Sequence, residues 1–137
     1  MTRVVDASVA LRWFVESPAS TVARELLAGD EPLIAPDIVV AEVANAALKL
    51  VRSGEIEENH GAAVPGAVGA AFSALIPSRE LASRAFRLAR LLDHPIYDCL
   101  YLALSEIEGA SFATADRKLF AKATVGGWSG RIELLGS

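Results

Sequence analysis

This chain has one cysteine, two histidines and no long uncharged apolar run, and each shortage closes off a class of chemistry. A single cysteine, Cys99, allows neither an intrachain disulfide nor a cysteine-based zinc site. With no base near it in the sequence, it fits a small core residue on a helix better than a catalytic thiol. His60 and His94 have no second histidine at ligand spacing, so a histidine metal site is not expected. His94, beside Pro95, reads as turn structure and His60 as exposed. No stretch approaches the roughly 18 apolar residues that a bilayer-spanning helix needs. The longest candidate, residues 61–76, is too short and carries Pro65 and three glycines. Asp6 and Arg12 interrupt the apolar N-terminus, which argues against a signal peptide. The simple expectation is a cytoplasmic protein with no membrane attachment. An excess of basic charge is missing as well. Lysine and arginine total 13 against 17 aspartates and glutamates, a net charge of −4. No global field therefore recruits nucleic acid, and any such role would rest on local patches.

What is present is largely apolar. Hydrophobic residues make up 53% of the chain, enough for a core in one domain spanning residues 1–137. Short strands and helices alternate. "RVVDA" (3–7) reads as a buried strand and "SVALRWFVE" (8–16) as a helix. The stretch 17–30 has a Ser/Pro start, an amphipathic middle and a glycine stop, which makes a second helix. "PLIA" (32–35) is a short strand, and residues 36–53, opened by proline and ended by Gly54, form a strong helix. A further helix starts near Glu55 but is weakened by Gly61, Pro65, Gly66 and Gly69, and "AAFSALI" (70–76) reads as a strand. A helix follows over 78–93, by its 3.6-residue periodicity, and another over 97–108, stopped by Gly109. "SFAT" (111–114) is a strand, residues 116–123 a short helix, and "RIELLG" (131–136) a closing strand. This alternation predicts an α/β fold with a central, mostly parallel sheet flanked by helices.

In such a fold the helices run antiparallel to the strands. Strand C-termini and helix N-termini then share one edge, the edge at which open α/β sheets bind ligands. Four acids are expected there. Asp6 ends the first strand, and Asp116 comes two residues after Thr114 at the end of a later one. Asp98 lies in the first turn of the helix leading into that later strand. Glu42 is about two turns into the helix that follows the second strand. Three of them have a structural explanation: Asp6 and Asp116 as helix caps, Asp98 as a partner of a helix dipole. Glu42 is harder to explain in that way. Between Asp37 and Lys49 its helix is apolar except for Glu42 and Asn45, as a buried helix would be, and a buried carboxylate needs a partner. Two carboxylates about 4 Å apart repel by roughly 4 kcal/mol at an effective dielectric near 20. Four converging acids therefore call for protonation or for a cation. All-oxygen ligation suits a hard divalent ion such as Mg²⁺ or Mn²⁺, and Ser8 and Thr114 add hydroxyls able to hold its waters. Such an ion activates water and stabilises charge at phosphorus, the chemistry of phosphodiester hydrolysis.

The stretches "VVDASVALRWF", "LIAPDIVVAEVANAALKL", "HPIYDCLYLALSEIEGASFATADRKL" and "RIELLG" resemble, in order, PIN domains, in particular the VapC-type ribonuclease toxins of bacterial and archaeal toxin–antitoxin pairs. The resemblance is collinear from Val4 to about Leu135 and least informative between residues 55 and 74. It implies a PIN-like three-layer sandwich. It also implies that Asp6, Glu42, Asp98 and Asp116 are the metal-binding and catalytic acids, with Ser8 and Thr114 as supporting hydroxyls and Asn45 as a polar neighbour of Glu42. The family further implies Mg²⁺- or Mn²⁺-dependent endonucleolytic cleavage of RNA by metal-activated water. A homodimer and a cognate antitoxin, whose C-terminal segment blocks the groove, are implied too. The chain departs from the pattern at one place. Some PIN domains carry another acid shortly after the last aspartate, where Arg117 and Lys118 stand here. Four acids remain, enough for one firmly held metal.

RNA needs cations beside such a pocket. Arg117 and Lys118, next to Asp116, are the candidates for phosphate contact, whereas Arg84, Arg87 and Arg90 at three-residue spacing read as a solvated helix face. Trp13 and Phe14, after Arg12, read as core. Two other classes of function compete. A catalytically silent PIN scaffold that binds RNA or a protein partner has no use for four mutually repelling acids. A phosphoacceptor signalling domain would want adjacent acids after the first strand and a lysine ending a late strand, where this chain has Asp6 alone and Thr114. A DNA-directed PIN nuclease would need the same acids, since phosphate chemistry does not depend on the sugar.

Overall fold

The structure, a computed structural model, describes residues 1–128 and 130–136; Ser129 and Ser137, the last residue of the expected domain, lie outside the described residues. Strands β1 (Arg3–Val5), β2 (Leu33–Pro36), β3 (Ala74–Ile76), β4 (Ser111–Thr114) and β5 (Ile132–Leu134) form one sheet in the order β3-β2-β1-β4-β5. Every neighbouring pair is parallel. The helices are α1 (Ala7–Leu11), α2 (Ser20–Ala28), α3 (Ile38–Arg52), α4 (Glu58–Ala71), α5 (Ala82–Leu92), α6 (Ile96–Glu108) and α7 (Arg117–Ala123). The chain steps outward from β1 to β3 through α1–α4, then returns past β1 to β4 and β5 through α5–α7. Right-handed crossovers place those two groups on opposite faces, which makes the three layers the sequence pattern predicts. The central strands are apolar on both faces, as parallel strands under helices must be: Val4, Val5, Leu33, Ile34, Phe112 and Ala113 are all buried.

The order of the strands fixes where a site can form. The sheet changes direction between β1 and β4, and Val5 is paired with Ala113. Asp6 and Thr114 therefore leave the sheet side by side at the topological switch point, where open parallel sheets open a crevice. Helix α6 packs across β1, β2 and β4, with every residue from Cys99 to Ser105 buried. Its first turn is left at the same edge.

Four local expectations are corrected. Helix α1 ends at Leu11 instead of Glu16. Helix α2 begins at Ser20, not at Ser17. Helix α4 runs through Pro65 to Ala71 and takes in two residues expected in a strand, so β3 is only Ala74–Ile76. The reason is packing: a Cβ on Gly61 would come within 2.4 Å of Val51 Cγ2, so glycine lets α4 lie close on α3 with Val64 and Val68 buried. That burial outweighs the poor helix propensities of glycine and proline. Helix α3, finally, is not buried all round; it buries Val39, Val43 and Ala47 and exposes Ala41, Asn45 and Leu48. Helices α5 and α6 form a hairpin whose turn starts at Asp93, a left-handed residue with φ 51°, followed by His94 and Pro95. Among the described residues no helix is long and apolar enough to cross a membrane.

Candidate active site

Asp6 follows the last residue of β1 and caps α1. Its Oδ1 accepts from the Val9 amide at 3.2 Å and from Ser8 Oγ at 2.5 Å, and its Oδ2 accepts from Thr114 Oγ1 at 2.5 Å. Thr114 Oγ1 accepts in turn from the Asp116 amide at 3.0 Å, and Ser8 Oγ from the Ala115 amide at 2.9 Å. Asp116 caps α7, with Oδ1 taking the amides of Lys118 and Leu119 at 2.9 and 3.1 Å. The capping explanations for these two acids are thus true, and the Thr114 hydroxyl ties the two caps together. A single hydrogen-bonded chain runs from Asp6 to Asp116 across the boundary between β1 and β4. Asp6 is only 5% exposed. Burial pushes its carboxyl up from 3.8 to about 6; the hydroxyls and the Val9 amide hold it down, and the charge of Asp98 adds to the rise.

The other two acids come from helices. Asp98 lies in the first turn of α6, where the helix dipole favours an acid, and its Oδ2 meets His94 Nε2 at 2.6 Å. Glu42, on α3, accepts a hydrogen bond from the Tyr101 hydroxyl. Partial burial raises the Glu42 carboxyl above its ordinary value; the Tyr101 hydrogen bond lowers it and the charge of Asp98 raises it further. Asp98 therefore acts on both Asp6 and Glu42, and the three share one electrostatic neighbourhood. Asp116 joins them through Thr114.

Among the described residues, no three carboxylate, imidazole or thiolate groups stand arranged as a ready-made metal site. Each of the four acids has an oxygen turned onto a donor of the protein itself. The donor set nevertheless fits a hard divalent ion. It is made of carboxylate oxygens, the charge of Asp98 reaches both Asp6 and Glu42, and Asp6 is buried with its carboxyl raised above the ordinary range. The site is an open edge of the sheet. A mostly apolar cleft of about 690 Å³ lies elsewhere, between Leu91, Leu92, Val125 and Lys122, and is lined by none of the four acids.

Several side chains differ from expectation. Ser8 and Thr114 bond directly to Asp6, where hydroxyls holding waters were expected. Asn45 is exposed and its side chain makes no hydrogen bond among the described residues. His94 does sit in a turn, but it is buried and bonded to Asp98. Tyr101, contacting Glu42, carried no functional assignment from the sequence. The signal for both was their spacing from Asp98: Tyr101 follows it by three residues on α6, and His94 precedes it by four, in the turn just before that helix. Arg117 and Lys118 are exposed at the start of α7. Arg84 pairs with Glu106 at 3.1 Å, and Arg87 and Arg90 are exposed, a solvated face as expected. Trp13 is core. Cys99 is core too, and burial, with Asp98 next to it, pushes its thiol up to about 11, too high for a nucleophile at neutral pH.

The PIN domain family model matches residues 3–125. Ribonuclease VapC3 of Pyrobaculum aerophilum is 32% identical over 124 residues, covering 89% of this chain and 95% of that protein. The crystal structure of PAE2754 from Pyrobaculum aerophilum superposes with a TM-score of 0.71 at 23% identity, covering 89% of this chain and 79% of that one. At that identity the likeness speaks for the fold. A family match over most of the length, together with a relative of this identity that the chain nearly spans, shows that the chain belongs to the PIN domain family.

Proposed function

We propose that this chain is a divalent-metal-dependent endoribonuclease of the VapC type, a toxin held in check by a cognate antitoxin. The observation that carries the proposal is Asp6: a carboxyl buried at the switch point, raised to about 6, in one neighbourhood with Glu42 and Asp98. Keeping such a group buried costs stability, and a cation among the acids removes the reason for that cost. Asp6, Glu42, Asp98 and Asp116 would hold Mg²⁺ or Mn²⁺. An ion bound there would supply an activated water and neutralise charge at the scissile phosphate. Ser8 and Thr114 fix the Asp6 carboxylate from two sides, and the exposed Arg117 and Lys118 hold flanking phosphates. Ribonuclease VapC3, the relative that this chain nearly spans, supports RNA over DNA as substrate. The single sheet supports residues 1–137 acting as one domain, and a cytoplasmic homodimer is the assembly this reading carries with it.

A second reading has its own support. The acids are satisfied by internal donors and form no ready-made ligand set, as suits a catalytically silent scaffold that binds RNA or a protein. Incubating a mixed cellular RNA pool with the protein separates the two, with Mg²⁺ or Mn²⁺ against chelator and beside Asp98→Asn. Cutting that needs the metal and is lost in Asp98→Asn is the expected result. Cutting that persists in Asp98→Asn refutes the site, and folded protein that binds RNA without cutting supports the scaffold.

A further inference from the structure

Tyr101 is 1% exposed, yet its one polar atom is directed at a charged group: the hydroxyl donates to Glu42 Oε1. The ring is fixed from another side by a parallel stack on Phe112 of β4, with centroids 6.0 Å apart and planes 6° from parallel. It also stands one helical turn after Asp98 on α6. One helix thus presents an acid of the cluster and, next to it, the donor that holds the acid of another helix. Among the described residues, no other donor bonds to Glu42, whose long side chain otherwise has several rotamers open to it.

The electrostatics place the hydroxyl centrally. Burial and Glu42 raise it far above the ordinary tyrosine value, and Asp6 and Asp98 add to the rise. A phenol hydroxyl facing a carboxylate acts as the donor, and here it donates to Glu42. Packing alone gives no use for the oxygen, because phenylalanine would fill the same place against Phe112. A buried hydroxyl without a partner would destabilise the fold, and the partner it has is Glu42.

We propose that Tyr101 is the positioning residue for Glu42, its hydroxyl holding the carboxylate toward Asp6 and Asp98 so that a divalent ion meets a preset ligand. The inference rests on the metal-dependent reading of the site given above. Groups that orient metal ligands by hydrogen bonds typically change metal affinity or activity by roughly ten- to a hundredfold when removed.

The test compares the wild-type chain with Tyr101→Phe, Glu42→Gln and the double variant. Mn²⁺ binding is measured by calorimetric titration, melting is measured without metal, and cleavage kinetics are measured on a defined RNA. Tyr101→Phe keeps the stack on Phe112, so it is expected to fold and to melt within a few degrees of wild type. Its Mn²⁺ affinity falls about tenfold, and kcat falls in proportion while KM for RNA stays unchanged. In the Glu42→Gln background the same substitution changes Mn²⁺ affinity no further. Tyr101→Phe binding Mn²⁺ as wild type does overturns the inference and leaves the metal reading standing. An equal loss in the Glu42→Gln background also overturns it, because Tyr101 would then act through some other group. A wild-type chain that binds no Mn²⁺ overturns the metal reading itself, and the inference with it.

Discussion

The two halves of the acid cluster are built by different means. In the strand half, Asp6 and Asp116 are anchored by three backbone amides and two hydroxyls, with Asp6 set beside Thr114 by the pairing of β1 with β4. In the helix half, Glu42 and Asp98 each depend on one side chain, Tyr101 and His94. Register dictates the first arrangement: once Val5 lies opposite Ala113, Asp6 has nowhere else to be. The second depends on rotamers that a single substitution releases. Damage to the strand half should therefore change stability, in one direction or the other, as well as activity, whereas damage to the helix half should reach activity with little change in stability.

Asp6→Asn should give the largest effect and split the two properties in opposite directions. RNA cleavage is expected to fall about a thousandfold, the rate equivalent of the several kcal/mol that a Lewis-acidic ion supplies. The metal-free fold should gain stability at pH 7. The Asp6 carboxyl binds its proton more tightly folded, about 6, than unfolded, 3.8. Between those values the folded chain holds more protons, so stability falls as pH rises through the window. By pH 7 the deficit is on the order of 3 kcal/mol. Denaturant melts of the metal-free protein from pH 4 to 7 should show that slope in wild type and not in Asp6→Asn. An unchanged slope in the variant would mean that Asp6 is not the group responsible.

Thr114→Val removes the hydroxyl that bonds both Asp6 and the Asp116 amide while keeping the shape of a buried side chain. A loss of about 1–3 kcal/mol is expected, from two buried partners left unsatisfied, together with a roughly ten- to hundredfold loss of activity. Thermal melting and cleavage rate should move together. If activity falls while melting stays at the wild-type value, the strand half is no more rigidly coupled to the fold than the helix half, and the contrast between them fails.

The sequence carried the strand half in plain view. Asp6 and Asp116 each follow an apolar strand, and alternation alone places strand ends on one edge. The helix half was legible only in part. Glu42 stood out because an acid in an apolar helix needs a reason. Its partner Tyr101 drew no reading of its own from the sequence; it is core by burial, yet a side chain can fill a core and aim one atom out of it. His94 was hidden by Pro95, which marks a turn correctly and says nothing of which way the imidazole points. Asn45, expected as a polar neighbour of Glu42, stands three residues further along α3, which buries a single stripe and leaves Asn45 in solvent. The length of α4 was obscured because glycine and proline propensities are local, while the contact of Gly61 with Val51 is not.

In the helix half, His94→Leu is expected to lower activity about tenfold by releasing Asp98 while melting moves by only about a degree or two. The small stability change follows from the site itself: His94 Nδ1 is buried without a hydrogen-bond partner, so an apolar side chain of similar size removes one unsatisfied atom as it removes one bond. His94→Gln, which can still donate toward Asp98, should recover part of the activity. A His94→Leu protein that melts far below wild type would make His94 a structural residue of the hairpin turn and remove the asymmetry between the halves.

The smallest effect is expected outside both halves, at Arg117 and Lys118. They begin α7 directly after Asp116 and are exposed, so neither contributes to the packing that places the acids. Replacing either by alanine should leave melting unchanged within experimental error. If they meet phosphate, the affinity for single-stranded RNA should weaken a few-fold, and the slope of log affinity against log salt should shrink by about 0.7 for each contact removed. The two signs belong together because a phosphate contact acts by releasing counterions: raising salt should erase the difference between variant and wild type. The measurement is best made in the Asp98→Asn background, where RNA is not consumed. A weakening that persists unchanged at high salt would point to shape or hydrogen bonding in place of charge, and no weakening at all would leave Asp116 without basic neighbours on the substrate and place the RNA path on another side of the cluster.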